Sequence, residues 1–291
     1  MSHIAIVLIF ASTGLHASWN LLAHRGSGDL TLFARMCFWI ACFGVGLLGF
    51  GAVVGHTLPV AAVGYAAASG ACLTVYFLGL SLGYRVGDFT VVYPLARALP
   101  ILLLACFDLW RGRDISPGGA AGMIVVVAGC MVLVMSSRSD EPMRHAGRAL
   151  LWVVITAMGT VGYSAVDKLA MESIADRAWI VAAQYCCVQF AMAWPGLFIA
   201  TRLLSRSPLA EHVASSHRMV IAIAALNVTA YILILLAFQL VDHVSYVLAL
   251  RQFSIVIGAV VGAWLLRERA PRARVAGAVC IAVGVVLIAL V

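Results

Sequence analysis

Two arginines stand in the middle of apolar segments, 154 residues apart: Arg97 in Asp88–Pro117 and Arg251 in Asp242–Pro271. A guanidinium at membrane depth costs several kcal/mol, so it needs a partner, a cavity or a function. Guanidinium is planar and forks two N–H groups onto one carboxylate or phosphate, so the chemistry it suggests is capture of an anion. Other polar side chains recur at helical i, i+4 spacing, which places each pair on one helix face. The pairs are His16 with Asn20, Tyr93 with Arg97, Tyr163 with Asp167, and Asn227 with Tyr231. Trp19 shares the face of His16, and Tyr76, Gln184, Tyr185, Tyr246 and Gln252 add polar groups inside further apolar runs. Faces of this kind converge on a solvated interior rather than on lipid. The substrate-binding set read from this pattern is His16, Trp19, Asn20, Tyr76, Tyr93, Arg97, Tyr163, Asp167, Gln184, Asn227, Tyr231 and Arg251. Asp167 is the natural candidate for an arginine partner or a proton carrier, and His16 for a group that titrates near neutrality. Asp167 and Lys168 read either as an intramembrane relay or as interfacial charges with Lys168 snorkelling to the headgroups, and Asp88 and Asp108, near segment ends, read as interfacial. Pro94 and Pro100 flank Arg97 and would open its helix toward a cavity. Arg251 sits in a smoother run, so Arg97 reads as the substrate contact and Arg251 as a clamp.

These residues sit in a chain that cannot cover a water-facing surface. Of its 291 residues 64% are hydrophobic and 11% charged, against about a quarter charged in a soluble domain. Apolar stretches of about 20 residues recur along the whole length, which implies spanning helices and excludes the shorter alternating strands of a barrel. The spacing predicts ten helices at 3–22, 30–52, 58–82, 88–109, 117–136, 148–170, 178–201, 219–240, 243–265 and 272–291. Counted from their helix starts, Arg97 and Arg251 each lie roughly 12–14 Å deep in a core about 30 Å thick. The fold class expected is an all-α membrane protein.

The longest polar interruptions, Ser136–Gly147 and Arg202–Arg218, place a boundary after the fifth helix. The two halves, 1–136 and 148–291, resemble each other. At one offset Asp88 matches Asp242, Arg97 matches Arg251, Trp110 matches Trp264, Arg113 matches Arg267 and Pro117 matches Pro271. Gly122 and Gly129 recur as Gly277 and Gly284, and His16 and Asn20 align with Tyr163 and Asp167. Five helices per half force the second half to enter the membrane in the opposite sense, so the repeats are inverted. Gly258 and Gly262 form a small-residue packing pair for internal contact or a homodimer.

Several function classes drop out. The net charge of +7 lies in short loops, the pattern of membrane orientation rather than of nucleic-acid binding. The eight cysteines fall in apolar runs without CxxC pairs or histidines at zinc spacing, so no metal is expected. The chain carries no Walker loop, HExxH or GxSxG, so neither an enzyme nor an ATP-driven pump is expected, and no cofactor. The first apolar segment lacks a basic n-region, so no cleaved signal peptide is expected. Loops after odd-numbered helices carry twelve arginines and the other side at most four basic residues, which puts both termini outside the cytoplasm.

The His16–Asn20 segment (HASWN), Tyr93-Pro94-Leu95-Ala96-Arg97, and Leu266-Arg267-Glu268-Arg269 before the Ala/Gly-rich last helix carry a resemblance. With the five-plus-five duplication, the chain resembles the drug/metabolite transporter (DMT) superfamily, in particular its EamA-type ten-helix members, over nearly its whole length. The resemblance implies a secondary transporter of the bacterial cytoplasmic (inner) membrane. Such proteins often export amino acids or related metabolites through a site between the halves. It also implies termini in the cytoplasm, against the arginine count. Arg113-Asp114 departs from the Gly-Glu-Arg form usual in the family. The partners expected are a small-molecule substrate bearing a carboxylate or other anion, protons as a coupling ion, and the lipid bilayer, with the chain a monomer or homodimer. A flippase for lipids or lipid-linked sugars, and a non-transporting scaffold or sensor, stay open as alternatives.

Overall fold

The computed structural model describes residues 1–23, 30–86, 89–136, 146–204, 216–257 and 272–291, with the backbone alone for 21, 86, 89–94, 136, 146 and 274. Asp88, the Gly258–Gly262 pair, Trp264, Leu266–Arg269, the loop arginines 25, 138, 144 and 206, and the Tyr93 side chain lie outside this description. Among the described residues the chain is helical, with no strand. The helices are α1 (His3–Ala23), α2 (Leu30–Val54), α3 (Val60–Val86), α4 (Phe89–Trp110) and α5 (Pro117–Ser136). They continue as α6 (Ala146–Ser173), α7 (Trp179–Leu204), α8 (His217–Phe238), α9 (Val244–Arg251) and α10 (Arg272–Ala289). Six stretches, in α2, α3, α5, α6, α7 and α8, are long and apolar enough to cross a membrane. Their outward residues agree: Phe43, Val53, Val60, Ile124 and Leu203 are exposed and apolar, which is unfavourable in water and favourable in lipid.

The helix ends follow local chemistry. After α2 and α4 the chain turns through Gly55 (φ 81°) and Gly112 (φ 73°), a left-handed backbone that costs glycine little. Each turn is closed by the long bond of a Schellman cap, His56 N to the Gly51 carbonyl and Arg113 N to the Asp108 carbonyl, both 2.9 Å. Pro117 opens α5, where its missing N–H removes no helical bond.

The first five helices do not form a body apart from the rest. α3 packs along α6 and α7, α1 along α8, α2 along α7 and α8, α5 along α10, and α4 along α5, α6 and α9. Seam α5·α10 is built on glycine. A Cβ added at Gly122 would meet the Gly284 carbonyl at 2.8 Å, and one at Gly129 the Gly277 carbonyl at 2.8 Å. Backbones this close gain dispersion and have no room for a side chain. Gly129→Val is expected to destabilise the fold by about 1–3 kcal/mol, an overpacking cost, read as a lowered unfolding temperature in detergent.

Turns after α2, α4, α6 and α8 meet at one end of the bundle. Glu172 accepts hydrogen bonds from Arg111 and from Lys168 Nζ (3.1 Å), and Arg113 approaches both Glu172 (3.8 Å) and Asp242 (3.6 Å). Lys168 does not snorkel outward as expected. It is buried, and Nζ donates to the carbonyls of Phe238 (2.7 Å) and Val241 (2.5 Å) at the open C-terminus of α8. Asp108 is not interfacial either. It is fully buried and caps α9, accepting from Val244 N (3.1 Å), Ser245 N (2.9 Å) and Ser245 Oγ (2.6 Å). At the same end His56 pairs with Asp176 at 2.7 Å, and this hydrogen bond, with one from Ala178 N, holds the Asp176 carboxyl below the usual carboxylate range. At the opposite end Arg35 meets His217 (3.4 Å) and Arg85 donates to the Leu204 carbonyl (3.4 Å).

All eight cysteines are free. Cys37, Cys130, Cys186 and Cys187 are buried, whereas Cys42 and Cys106 face outward from apolar helices. Among the described residues no group of histidines, cysteines and carboxylates could hold a metal.

Candidate functional site

The site forms where α1, α4 and α9 cross. α9 delivers Arg251 and Gln252 at a break. Helical regularity is interrupted at Gln252 and resumes over 253–257; Gln252 N and Ile255 N bond three residues back, to Ala249 (3.1 Å) and Gln252 (2.9 Å). α4 runs unbroken through Pro94 and Pro100. The irregularity expected beside Arg97 therefore lies beside Arg251, in the run that reads as smooth. Backbone freed from the regular pattern at membrane depth occurs where it is buried in protein or lines a cavity.

At the crossing Arg97 Nε donates to Gln252 Oε1 (2.8 Å), and Arg97 Nη2 reaches the Arg251 carbonyl (3.4 Å). Gln252 Nε2 donates to the Leu248 carbonyl (3.0 Å) and the Arg97 carbonyl (3.4 Å). His16 lies between the arginines. Its Nε2 is 2.7 Å from Arg97 Nη1, while its Nδ1 is 3.1 Å from Trp19 Nε1 and 3.3 Å from Arg251 Nη2. A neutral imidazole offers one acceptor nitrogen, whereas guanidinium and indole N–H groups only donate. Whichever tautomer is present, one side of the ring sets donor against donor. Arg251 is 8% exposed, and among the described residues its Nε has no hydrogen-bond partner and no carboxylate pairs with it. Arg97 is tied to the facing helix through Gln252, whereas Arg251 keeps an unpartnered donor.

Two adjoining cavities share His16, Tyr76, Tyr163 and Arg251. The first, about 40 Å³, is also lined by Arg97, Gln252, Thr156 and Thr160. The second, about 30 Å³, is walled by Trp19, Phe77, Phe190, Asn227 and Tyr231. The rings meet edge to face: Tyr76 with Tyr163 at 5.6 Å, and Tyr163 with Tyr231 at 5.9 Å. Each volume holds a few waters, so a larger ligand requires the helices to part. The site thus has a donor-rich pole and an aromatic pole.

Of the residues read from sequence, His16, Trp19, Tyr76, Arg97, Tyr163, Asn227, Tyr231 and Arg251 line these cavities. Three others go elsewhere. Asn20 spends its amide on its own helix, donating to the His16 carbonyl (2.8 Å). Gln184 ties α7 to the end of α2 through the carbonyls of Leu47 (3.3 Å) and His56 (3.1 Å). Asp167 is enclosed behind the aromatic wall and, among the described residues, pairs with no arginine. It accepts from Tyr185 (2.8 Å), Gln189 (3.1 Å) and Tyr231. Gln252, Thr156 and Thr160 are site residues outside the sequence-derived set. Gln252 is foreshadowed by its place beside Arg251, but threonines in a helix, bonded to their own turn, carry no such sign.

No family model matches the chain, and no curated protein matches it. A solved structure described only as the crystal structure of a protein is similar over the whole chain. Its TM-score is 0.72 at 16% identity, with 100% of this chain and 98% of that chain covered. At that identity the likeness shows the fold alone. Fold and composition together define a helical protein with several stretches long and apolar enough to cross a membrane, packed around a buried polar site.

Proposed function

We propose that the chain is a secondary transporter of small carboxylate-bearing metabolites, working by alternating access between two inverted repeats, 1–136 and 148–291, of ten spanning helices in all. The observation that carries this reading is the excess of buried donors around His16, with the Arg251 Nε unpartnered. A carboxylate brings two oxygens and no proton, so it converts opposed donors into bonded ones. The inverted repeat finds support in the packing. Exchanging each helix with the one five places on turns α3·α6 into α8·α1, α3·α7 into α8·α2, and α4·α6 into α9·α1, and all of these contacts occur. The glycine contacts obey the same exchange: Gly122 facing Gly284 becomes Gly277 facing Gly129. The DMT-type resemblance of the sequence agrees with this architecture and with a cytoplasmic-membrane location.

The test is flux. Purified protein in proteoliposomes is expected to move carboxylates, and Arg97→Gln to lower the rate about tenfold, because the variant loses a forked donor but keeps a hydrogen bond to Gln252 within reach. Undiminished flux in Arg97→Gln would remove Arg97 from the site, and lipid scrambling without carboxylate flux would favour a flippase. A reporter fused after Val291 decides the orientation: activity in the cytoplasm matches the family type, and its absence matches the loop arginines.

A further inference from the structure

Asp167 has no exposed surface and is held by side chains from other helices. Tyr185 donates to Oδ1, while Gln189 Nε2 and Tyr231 donate to Oδ2. The titratable and polar groups that face it are Ser69 and Cys72 from α3, Tyr185, Cys186 and Gln189 from α7, and Tyr231 from α8. Among the described residues α4 and α9 set no charged group against it. Its neighbour in sequence, Lys168, spends its charge on Glu172 and the end of α8. Among the described residues this carboxylate has hydrogen bonds but no counter-ion in contact, the Arg251 guanidinium standing on the far side of Tyr231, and a proton is the smallest charge that can neutralise it.

The cage fits both states of the acid. Gln189 is fully buried; its Nε2 donates to Asp167 and to Ser69 Oγ (2.7 Å), and among the described residues its Oε1 has no partner. As drawn, the amide serves a carboxylate. Turned by half a rotation, Oε1 faces Asp167 and accepts from a carboxylic O–H instead. Tyr231 joins this cage to the anion site. Its hydroxyl donates to Asp167, and its ring lies 5.9 Å from the Arg251 guanidinium carbon and lines the aromatic cavity.

We propose that Asp167 is a proton-binding site, and that its protonation is linked through Tyr231 to occupation of the Arg97–Arg251 site; the linkage half rests on the carboxylate reading above. The step is addition of a proton from water to the Asp167 carboxylate, giving the neutral acid, with the Gln189 amide turning to accept the new O–H. An anion at Arg251 places negative charge one tyrosine from Asp167. Like charges repel, so the anion binds best when Asp167 is protonated, and anion binding draws a proton on. Linkage makes the two effects equal.

Two measurements on the full-length protein test this. The first is an infrared titration of the carboxylic-acid carbonyl band. A band that rises as pH falls and is missing in Asp167→Asn is expected, and its persistence in that variant overturns the proposal. The second is binding of radiolabelled benzoate across pH. Affinity is expected to fall about tenfold from the acid to the alkaline side of the Asp167 titration, and to become flat in Asp167→Asn. A pH dependence unchanged in Asp167→Asn assigns the titration to His16 and overturns the linkage. A titrating Asp167 band with no benzoate binding at any pH overturns the carboxylate reading and the linkage, and upholds the proton site. If Asp167→Asn does not fold, Tyr231→Phe serves: the band is expected to shift, and the pH dependence of benzoate binding to shrink. A Tyr231→Phe protein indistinguishable from wild type in both respects overturns the role of Tyr231.

Discussion

Arg251→Gln is expected to weaken carboxylate binding about a hundredfold, the equivalent of about 3 kcal/mol. Three features set the size. Arg251 is buried, so its interaction with a bound anion is poorly screened. Its Nε is free to donate without breaking an existing bond. Its charge also lies over the Tyr231 ring, 5.9 Å from the centroid, and glutamine loses that contact. Arg251→Lys is expected to recover part of the loss, because ammonium keeps the charge but cannot fork onto two oxygens. Equilibrium binding of a radiolabelled carboxylate to protein in detergent measures both. Affinity in Arg251→Gln equal to wild type would place the anion elsewhere.

Asp108→Ala is expected to destabilise the protein by about 3 kcal/mol. The carboxylate is fully buried and accepts from two backbone N–H groups and the Ser245 hydroxyl at the start of α9. Truncation leaves those donors dry, at about 1–3 kcal/mol for each buried group left unsatisfied. Because α9 carries Arg251 and Gln252, binding should weaken along with stability. Asp108→Asn keeps an acceptor oxygen and should restore much of both. Thermal unfolding in detergent, with the binding assay alongside, gives the comparison, and an unchanged midpoint in Asp108→Ala would refute the cap.

Helix positions were legible in the sequence because the bilayer imposes a length: the apolar runs and the polar breaks at Ser136–Gly147 and Arg202–Arg218 bracket what the structure describes. Residues such as His16, Arg97 and Arg251 stood out because a polar group among apolar neighbours is costly. What the pattern could not assign was the partner. Asn20 and Gln184 are as conspicuous in sequence as Asn227, yet one bonds its own turn and the other a neighbouring helix end. Asp108 finds its donors 136 and 137 residues away, and no local spacing encodes that. The break in α9 was hidden for another reason. Proline marks a missing donor, but α4 absorbs Pro94 and Pro100 within one helix, whereas at Gln252 the hydrogen-bond register changes with no breaker residue.

The cluster around Glu172 has a kinetic consequence. Glu172 is shared by Arg111 and Lys168, and Lys168 is shared in turn with the carbonyls of Phe238 and Val241. No single bond can lengthen without loosening its neighbours, and each loosened group is left poorly solvated. Such a network has two favourable arrangements, fully made and fully parted, with a barrier between them. The ends of α4, α6 and α8 are therefore expected to separate in one cooperative event rather than by gradual fraying.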